Sequence, residues 1–375
     1  MGRQHALLSA SSSHRWLNCP PSARLCESYE DKGSDFAAEG TDAHALCEHL
    51  LKKALGMPTT DPTENLTWYD QEMRDCAEGY AEYVMELLEN ARQTCSDPLV
   101  LIEQRLDYSR YVRNGFGTAD CVLIADGTLH VVDYKHGRGV MVEAEENPQM
   151  MLYALGALEI FDDIYDIDTV VMTIYQPRRA NISSYTLAKD ALYEWADTVL
   201  IPTAELAFTG GGEYRCGEWC QFCKAKTDCR ERARANMELA KYDFKLPPHL
   251  TDEDVQEILG KADELISWAN DIKDYALRSA ISGKEWPGYK LVEGRSNRRY
   301  ISEEAAAGAV KKAGYDPYED KVLGVTAMTR MLGKKRFEEI LGPYITRPQG
   351  KPTLVPESDP RPAMTNISED FKEEN

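Results

Sequence analysis

Two acids and a lysine stand where a pair of apolar, strand-like runs should carry core residues. The run "TLHVVDYK" ends on Asp133 and Lys135, and the preceding run "FGTADCVLIA" contains Asp120. The Asp-Gly pair between the runs is a strong signal for a tight hairpin turn. Counting back from that turn places Asp120 opposite Asp133, with Lys135 two residues further along on the same face.

These side chains predict a metal site. Two opposed carboxylates on a half-buried face destabilise a sheet unless a cation or a shared proton compensates them. Lys135 supplies one positive charge. A divalent ion held by both carboxylates would balance the rest, and hard oxygen ligands suit Mg²⁺ or Mn²⁺. From the hairpin alone, a surface ion pair between Asp133 and Lys135, beside a solvated Asp120, is an equally good interpretation.

Hydrophobic periodicity predicts the elements that must position these groups. We expect helices over 41–55, 70–93, 147–161 and 187–208, and strands over 98–106, 116–125, 128–135 and 168–177. Thr41 could cap the first of these helices. Glu103, on the strand before the hairpin, could join the site or form only a salt bridge. The order of elements predicts an α/β fold with a mixed central sheet flanked by helices.

The hairpin carries a family resemblance. The pattern "GTADCVLI…LHVVDYK" resembles the core motif of PD-(D/E)xK nucleases, which have a restriction-endonuclease-like fold. Asp120 takes the place of the first acid, and Asp133-Tyr134-Lys135 takes the place of the D-x-K element. In this family the acids bind metal and the lysine helps to activate water, so the resemblance implies hydrolysis of a DNA phosphodiester.

Two further motifs extend the resemblance to RecB-type exonucleases. "NPQMMLYALGAL" resembles their Q-x-x-x-Y motif, with Gln149 and Tyr153 on one helix face. "EGTDAHALCEHLL" resembles their upstream G-T-x-x-H element, which contributes His44. Taken singly, these three side chains are more commonly explained by helix packing. The ordered set of motifs is the specific signal.

The resemblance implies a division of roles. One or two Mg²⁺ or Mn²⁺ ions would be held by His44, Asp120, Asp133 and the backbone carbonyl of Tyr134. Lys135 would orient the attacking water or the developing oxyanion. Gln149 and Tyr153 would position Lys135 or the DNA backbone. Nearly the whole chain, including "PGYKLVEGRSNR" and "GKPTLVPE", resembles a phage-encoded RecB-type family of uncharacterised function. We therefore expect an exonuclease of phage DNA replication or recombination, working with phage replication proteins in the cytoplasm of a bacterial host.

A second metal site is predicted by the cysteine-rich segment "CGEWCQFCKAKTDC" at 216–229. Its C-x2-C-x5-C portion resembles iron–sulfur RecB-type nucleases, in which one N-terminal cysteine joins three C-terminal ones on a [4Fe–4S] cluster. The resemblance implies Cys19, Cys220, Cys223 and Cys229 as ligands. The cluster would act as a structural staple, since it closes a loop of some 200 residues. Cys216 could replace Cys19, and structural Zn²⁺ is the alternative occupant.

The remaining cysteines look scattered, as small core or surface residues. They are Cys26, Cys47, Cys76, Cys95, Cys121 and, if it is not a ligand, Cys216.

A net charge of −20 opposes attraction of nucleic acid to the surface as a whole. DNA binding would need local basic groups, or a partner protein. The candidates are Arg178, Arg179, Arg295, Arg298, Arg299, Lys334, Lys335 and Arg336. For any one patch alone, a solvated face that balances nearby acids is the simpler interpretation. The sequence contains no apolar run long enough to span a membrane and no secretion signal at its start, so we expect a cytoplasmic protein.

Composition divides the chain near residue 243. Residues 1–243 hold all the nuclease motifs and the cysteines, and a Pro-bearing break follows at 244–250. We expect 244–375 to be a smaller α-rich region that ends in an extended, proline-containing segment and an acidic tail. The −20 charge and this extra region leave a competing function open, a non-catalytic nuclease fold that holds DNA or a replisome partner.

Overall fold

The computed structural model describes residues 6–30, 33–238, 251–289 and 336. The helices in this part of the chain are α1 Ser13–Asn18, α2 Ser22–Leu25, α3 Asp35–Ala54, α4 Gln71–Ala91, α5 Pro148–Tyr165, α6 Lys189–Trp195, α7 Ile201–Thr209, α8 Arg230–Met237 and α9 Asp252–Ile281. The strands are β1 Leu99–Asp107, β2 Phe116–Ala125, β3 Thr128–Tyr134, β4 Thr169–Gln176 and β5 Asn181–Ala188.

The five strands form one mixed sheet in the order β1-β2-β3-β4-β5. β3 and β4 pair in parallel, because helix α5 connects them as a crossover, and the other neighbours pair antiparallel. Asp126 and Gly127 form the β2–β3 turn with positive φ angles of 45° and 70°. Both positions therefore lie in the left-handed region that an Asp-Gly turn accommodates. The predicted α/β class with a mixed sheet is confirmed.

Helices cover both faces of the sheet. Val122, Ile124, Leu129 and Val131 pack in one core with the buried residues of α5. Cys121, Val132 and Tyr134 face the other way, into a second core formed with α3 and α4. Alternate residues of β2 and β3 thus point to opposite cores, which is why these strands are nearly continuous apolar runs.

The structure differs from the sequence-based predictions at one strand, one helix and one helix cap. β5 was not predicted, because its residues alternate between half-buried and exposed positions and include few large apolar side chains. The helix expected over 187–208 begins only at Lys189 and is interrupted by a π-helical turn at Ala196–Leu200. Thr41 lies inside α3, so its prediction as the cap was wrong. Ser34 caps this helix instead, and its side chain accepts a hydrogen bond from the amide of Ala37.

The chain divides into two compact units, residues 1–279 and 280–375. The sites described below lie in the first. The boundary predicted near residue 243 falls in a segment outside the described residues and stays a prediction. The basic residues Arg295, Arg298, Arg299, Lys334 and Lys335 also lie outside the described residues. Among the helices that are described, none is long and apolar enough to cross a membrane.

Candidate metal centre

The hairpin register is the predicted one. Ladder pairs run from Ala125 and Thr128 to Cys121 and Val132. The next step of the same register would pair Asp120 with Asp133. The backbone ladder ends before this pair. A side-chain hydrogen bond follows it, in which Oδ2 of Asp120 accepts from the amide of Tyr134 at 2.6 Å. The strands therefore separate where the two carboxylates stand.

His44 reaches this sheet end from helix α3. The helix is fixed by its buried residues, which pack in the core shared with α4. The Nδ1 of His44 lies 3.0 Å from Oδ1 of Asp120. Its ring also stands edge-on to the ring of Tyr134, with 5.6 Å between the centroids. The predicted approach of His44 to Asp120 is thus present in the structure.

Glu103 completes the group. One ligand atom each from His44, Glu103 and Asp120 lies within 4.8 Å of the other two, a spacing that could hold a metal ion. From the sequence, Glu103 has two interpretations, as a residue of the site or as a partner in a simple salt bridge. The signal that could have decided the question is its isolation as the one acid within the apolar run "LVLIE" of β1.

The backbone of Glu103 is unusual for a strand. Its φ of 50° lies in the left-handed region, which non-glycine residues rarely occupy. The flanking pairs, Ile102 with Cys121 and Gln104 with Ala119, keep the regular register on either side. The unusual backbone is therefore confined to Glu103 and inserts no extra residue into the strand. Such strain persists where the surrounding structure over-determines it, which is common at functional sites.

Beside the group, four side chains form a hydrogen-bonded network. Nζ of Lys135 lies 3.0 Å from Oδ2 of Asp133 and donates to Oε1 of Gln149 at 3.1 Å. Nε2 of Gln149 donates to Oδ1 of Asp133 at 3.0 Å and to the hydroxyl of Tyr153 at 3.3 Å. The structure thus brings all four predicted residues together. Asp133 contacts the lysine and the glutamine rather than His44.

Tyr153 packs closely against strand β2. A Cβ atom at Gly117 would come within 2.7 Å of Cε1 of Tyr153. Only glycine leaves room for the ring to lie flat on the strand at this point. Gly117 is therefore a supporting residue that the sequence motifs did not identify. For Tyr134, the structure shows its amide engaged with Asp120, and the role predicted for its carbonyl stays a prediction.

Burial and charge shift the pKa values of the group. Burial alone would lower the pKa of His44, but the carboxylates of Asp120 and Asp133 outweigh it and raise the pKa to about 9. Burial, reinforced by the charge of Asp120, raises the pKa of Glu103 to about 7. Burial also raises the pKa of Asp133, against the opposing effect of the Lys135 ammonium. A cation bound among these carboxylates would favour their ionised forms.

The cysteines form a second site, distant in sequence from the first. Cys19, Cys220, Cys223 and Cys229, the four predicted ligands, line one small cavity. Cationic side chains line the same cavity, namely Arg15, Arg215, Lys226 and Arg232. Arg232 is fully buried there and also pairs with Glu264 and Asp271 of helix α9.

Two more cysteines lie next to this cavity. Cys26 was predicted to be scattered, which was wrong, because its Sγ lies 3.7 Å from Sγ of Cys223. Cys216 was considered as a substitute for Cys19, but its side chain is hydrogen-bonded to Cys220. It lines a separate open cleft with residues of α8 and α9.

The two basic residues after β4 are engaged within the protein. Arg178 pairs with Glu39 at 2.7 Å and with Glu72 at 3.5 Å, and its side chain is 13% exposed. Arg179 donates to the backbone carbonyl of Arg138 at 3.0 Å. These contacts favour a structural role for Arg178. Arg336 is an exposed helix residue. DNA binding by these three residues stays a prediction.

A family model described as "Protein of unknown function (DUF2800)" matches residues 5–362. The chain belongs to this family. The match includes both the carboxylate group and the cysteine-lined cavity, so the two sites are contained in one DUF2800 region.

A solved structure titled "Crystal structure of SSO0001" is similar to this DUF2800 chain at 13% sequence identity, with a TM-score of 0.21. The match covers 50% of this chain and 95% of that chain. A TM-score this low adds nothing to the assignment of function, which depends on the geometry of the sites.

Proposed function

We propose that the chain is a metal-dependent deoxyribonuclease with a PD-(D/E)xK-type core, acting as an exonuclease in phage DNA replication or recombination. One observation carries the proposal. His44, Glu103 and Asp120 converge on one point at the end of the sheet, next to a lysine that Asp133 and Gln149 hold in place.

The donor set fits a divalent ion. Two carboxylates and one imidazole suit Mn²⁺ well, because it accepts nitrogen more readily than Mg²⁺ does. We assign His44, Glu103 and Asp120 as ligands, with Asp133 and the Tyr134 carbonyl as further candidates. A bound ion would lower the pKa of a water molecule and compensate charge on the scissile phosphate.

The side chains of the network prepare the reaction. The Lys135 ammonium would orient the attacking water or stabilise the developing oxyanion, since it is held beside the metal-binding carboxylates and carries the opposite charge. Gln149 accepts from Lys135 and donates to Asp133, so it fixes both groups at once. The hydroxyl of Tyr153 accepts a second hydrogen bond from the same amide nitrogen of Gln149. Such orienting partners commonly affect activity nearly as much as the groups they hold.

The cysteine site fits an anionic cluster. Four thiolates on a [4Fe–4S] core carry net negative charge, and four cationic side chains line the same cavity. We propose that Cys19, Cys220, Cys223 and Cys229 hold such a cluster. Its role would be to connect the N-terminal helices to the segment before α8. Structural Zn²⁺ remains the alternative occupant.

A single preparation tests the nuclease proposal. The full chain, purified without oxygen, is assayed on end-labelled single- and double-stranded DNA with Mg²⁺, Mn²⁺ or EDTA. Asp133→Ala and Lys135→Ala are compared with wild type. Glu86→Gln, which changes an exposed acid on α4, is the matched control. We expect metal-dependent release of label by wild type and the control, and loss of at least about 100-fold in Lys135→Ala.

Full activity in Asp133→Ala would remove these residues from the catalytic centre. Wild-type protein that binds DNA but never cleaves it, with either metal, would favour the competing function of a non-catalytic module. Iron and sulfide analysis of the same preparation tests the cluster. A colourless protein that contains zinc would replace the cluster by a zinc site.

A further inference from the structure

Cys26 lies in sulfur contact with a predicted cluster ligand. It follows helix α2 and is 7% exposed. Its Sγ is 3.7 Å from Sγ of Cys223, across 197 residues of sequence. Arg15 fixes this position, because its guanidinium donates to Sγ of Cys26 at 3.4 Å and to the carbonyl of Ser22 at 2.8 Å. The contact is therefore part of a held arrangement.

The sulfur separation corresponds to two thiolates that can reach one metal ion. With metal–sulfur bonds of about 2.3 Å and tetrahedral angles, the two sulfurs on one ion lie roughly 3.8 Å apart. An ion bound by Cys223 is thus within reach of Cys26. In a [4Fe–4S] cluster with four cysteine ligands, each iron needs a single protein thiolate, so one of the two sulfurs is spare.

We propose that Cys26 is a reserve ligand that takes the coordination position of Cys223 when that thiolate is lost. The inference rests on the proposed cluster. The exchange needs no rearrangement of the fold, because both sulfurs already lie side by side. It also preserves the link between distant parts of the chain. Cys19 and Cys26 would then hold the cluster from the N-terminal segment, and Cys220 and Cys229 from the cysteine-rich segment.

The two cysteines also differ in exposure, because Cys223 is half-buried and Cys26 is buried. A change at position 223 would therefore leave the buried Cys26 in place beside the cluster.

The test compares four variants of the full chain with wild type, all purified without oxygen: Cys26→Ser, Cys223→Ser, the double variant, and Cys229→Ser as the control. Iron and acid-labile sulfide per chain are measured together with visible absorbance. Circular dichroism reports folding, and Cys223→Ala replaces Cys223→Ser if that variant does not fold. We expect both single variants to keep wild-type iron, and the double variant to fall to the low level of Cys229→Ser.

Alkylation gives a second readout. In iron-loaded Cys223→Ser, Cys26 should resist alkylation by iodoacetamide until the iron is chelated. The added substitution Cys26→Ser removes this alkylation site. Iron lost from Cys223→Ser as fully as from Cys229→Ser would overturn the reserve role. Iron retained by the double variant would overturn it as well. A wild-type protein that contains neither iron nor sulfide would be a different result. It would refute the proposed cluster itself, and the reserve role of Cys26 would be refuted with it.

Discussion

The carboxylate group and the cysteine cavity are two candidate metal sites that the fold assembles in different ways. Asp120 and Asp133 stand on neighbouring strands joined by a two-residue turn, so local hairpin geometry places them. The cysteines come from distant parts of the first unit, and Cys19 and Cys220 line one cavity although all five strands of the sheet lie between them in sequence. One site is a property of a rigid element, and the other joins elements that are far apart in sequence.

The electrostatics differ in the same way. At the sheet end, burial and the charge of Asp120 raise the pKa values of Glu103 and Asp133. Around the cysteines, three arginines and one lysine line the cavity, and two of them, Arg232 and Lys226, also pair with acids of α9. The first site thus gathers acids that a bound cation would stabilise, whereas cationic side chains line the second. The proposed roles, catalysis at the first site and stabilisation at the second, correspond to this difference.

The largest expected effect separates the two sites directly. Asp120→Ala removes the residue that contacts His44 and the Tyr134 amide. We expect DNA cleavage to fall to the level measured in EDTA, since metal binding at the sheet end is lost. Iron content should stay at the wild-type value. The measurements are end-labelled cleavage and calorimetric titration with Mn²⁺. Simultaneous loss of iron would show that the sites are not independent.

Cys19→Ser tests the opposite side of the comparison. It removes a proposed cluster ligand and with it the connection across the first unit. A cross-link over so long a loop is worth roughly 5 kcal/mol by analogy with disulfides. The melting temperature should therefore fall by roughly 10–20 °C. Mn²⁺ binding, measured below the new melting temperature, should survive. An unchanged melting temperature in calorimetry would contradict a stapling role.

Gln149→Ala sharpens the distinction between holding a metal and orienting the lysine. Gln149 contacts Lys135, Asp133 and Tyr153. Loss of an orienting partner typically costs about 10–100-fold in activity. We expect kcat to fall by that factor, while Mn²⁺ affinity and iron content stay the same. Gln93→Ala, an exposed glutamine after α4, is the control. A fall in Mn²⁺ affinity equal to that in kcat would make Gln149 part of the metal shell.

The smallest expected effect is a pH dependence confined to the carboxylate group. Because the pKa of Glu103 is raised to about 7, the folded state holds this proton more tightly than the unfolded state. The free energy of unfolding therefore decreases as pH rises from the ordinary glutamate pKa of 4.5 to about 7. His44, with a pKa raised to about 9, stabilises the fold fully below its unfolded pKa and loses this contribution as pH approaches 9.

Bound metal gives the opposite change of stability with pH. Its ligands must be deprotonated, so the stabilisation that it provides increases as pH rises. We expect the difference in melting temperature between Mn²⁺-loaded and EDTA-treated protein to widen by a few degrees from pH 6 to pH 9. Glu103→Gln should remove the part of the change below pH 7. If wild type and Glu103→Gln show the same change of this melting-temperature difference with pH, Glu103 is not the source of the pH dependence.

Several features could be predicted because they depend on short-range geometry. The Asp-Gly turn fixes the hairpin register, and with it the approach of Asp120 and Asp133. The spacing of Gln149 and Tyr153 places both on one face of α5. Strand β5 escaped prediction because an edge strand that is half exposed needs few large apolar residues. The cap of α3 escaped because Thr41 and Ser34 are equally good capping residues, and only the course of the chain decides between them.

The sequence by itself determined the α/β class and the register of the β2–β3 hairpin, since turns and periodicity encode local geometry, and the family resemblance supplied the four-cysteine set. Only the tertiary structure decided that Glu103 lies in one group with His44 and Asp120. It also decided that Cys26 lies against Cys223. Both facts depend on how segments that are distant in sequence pack together, and such long-range contacts leave no pattern in the local sequence.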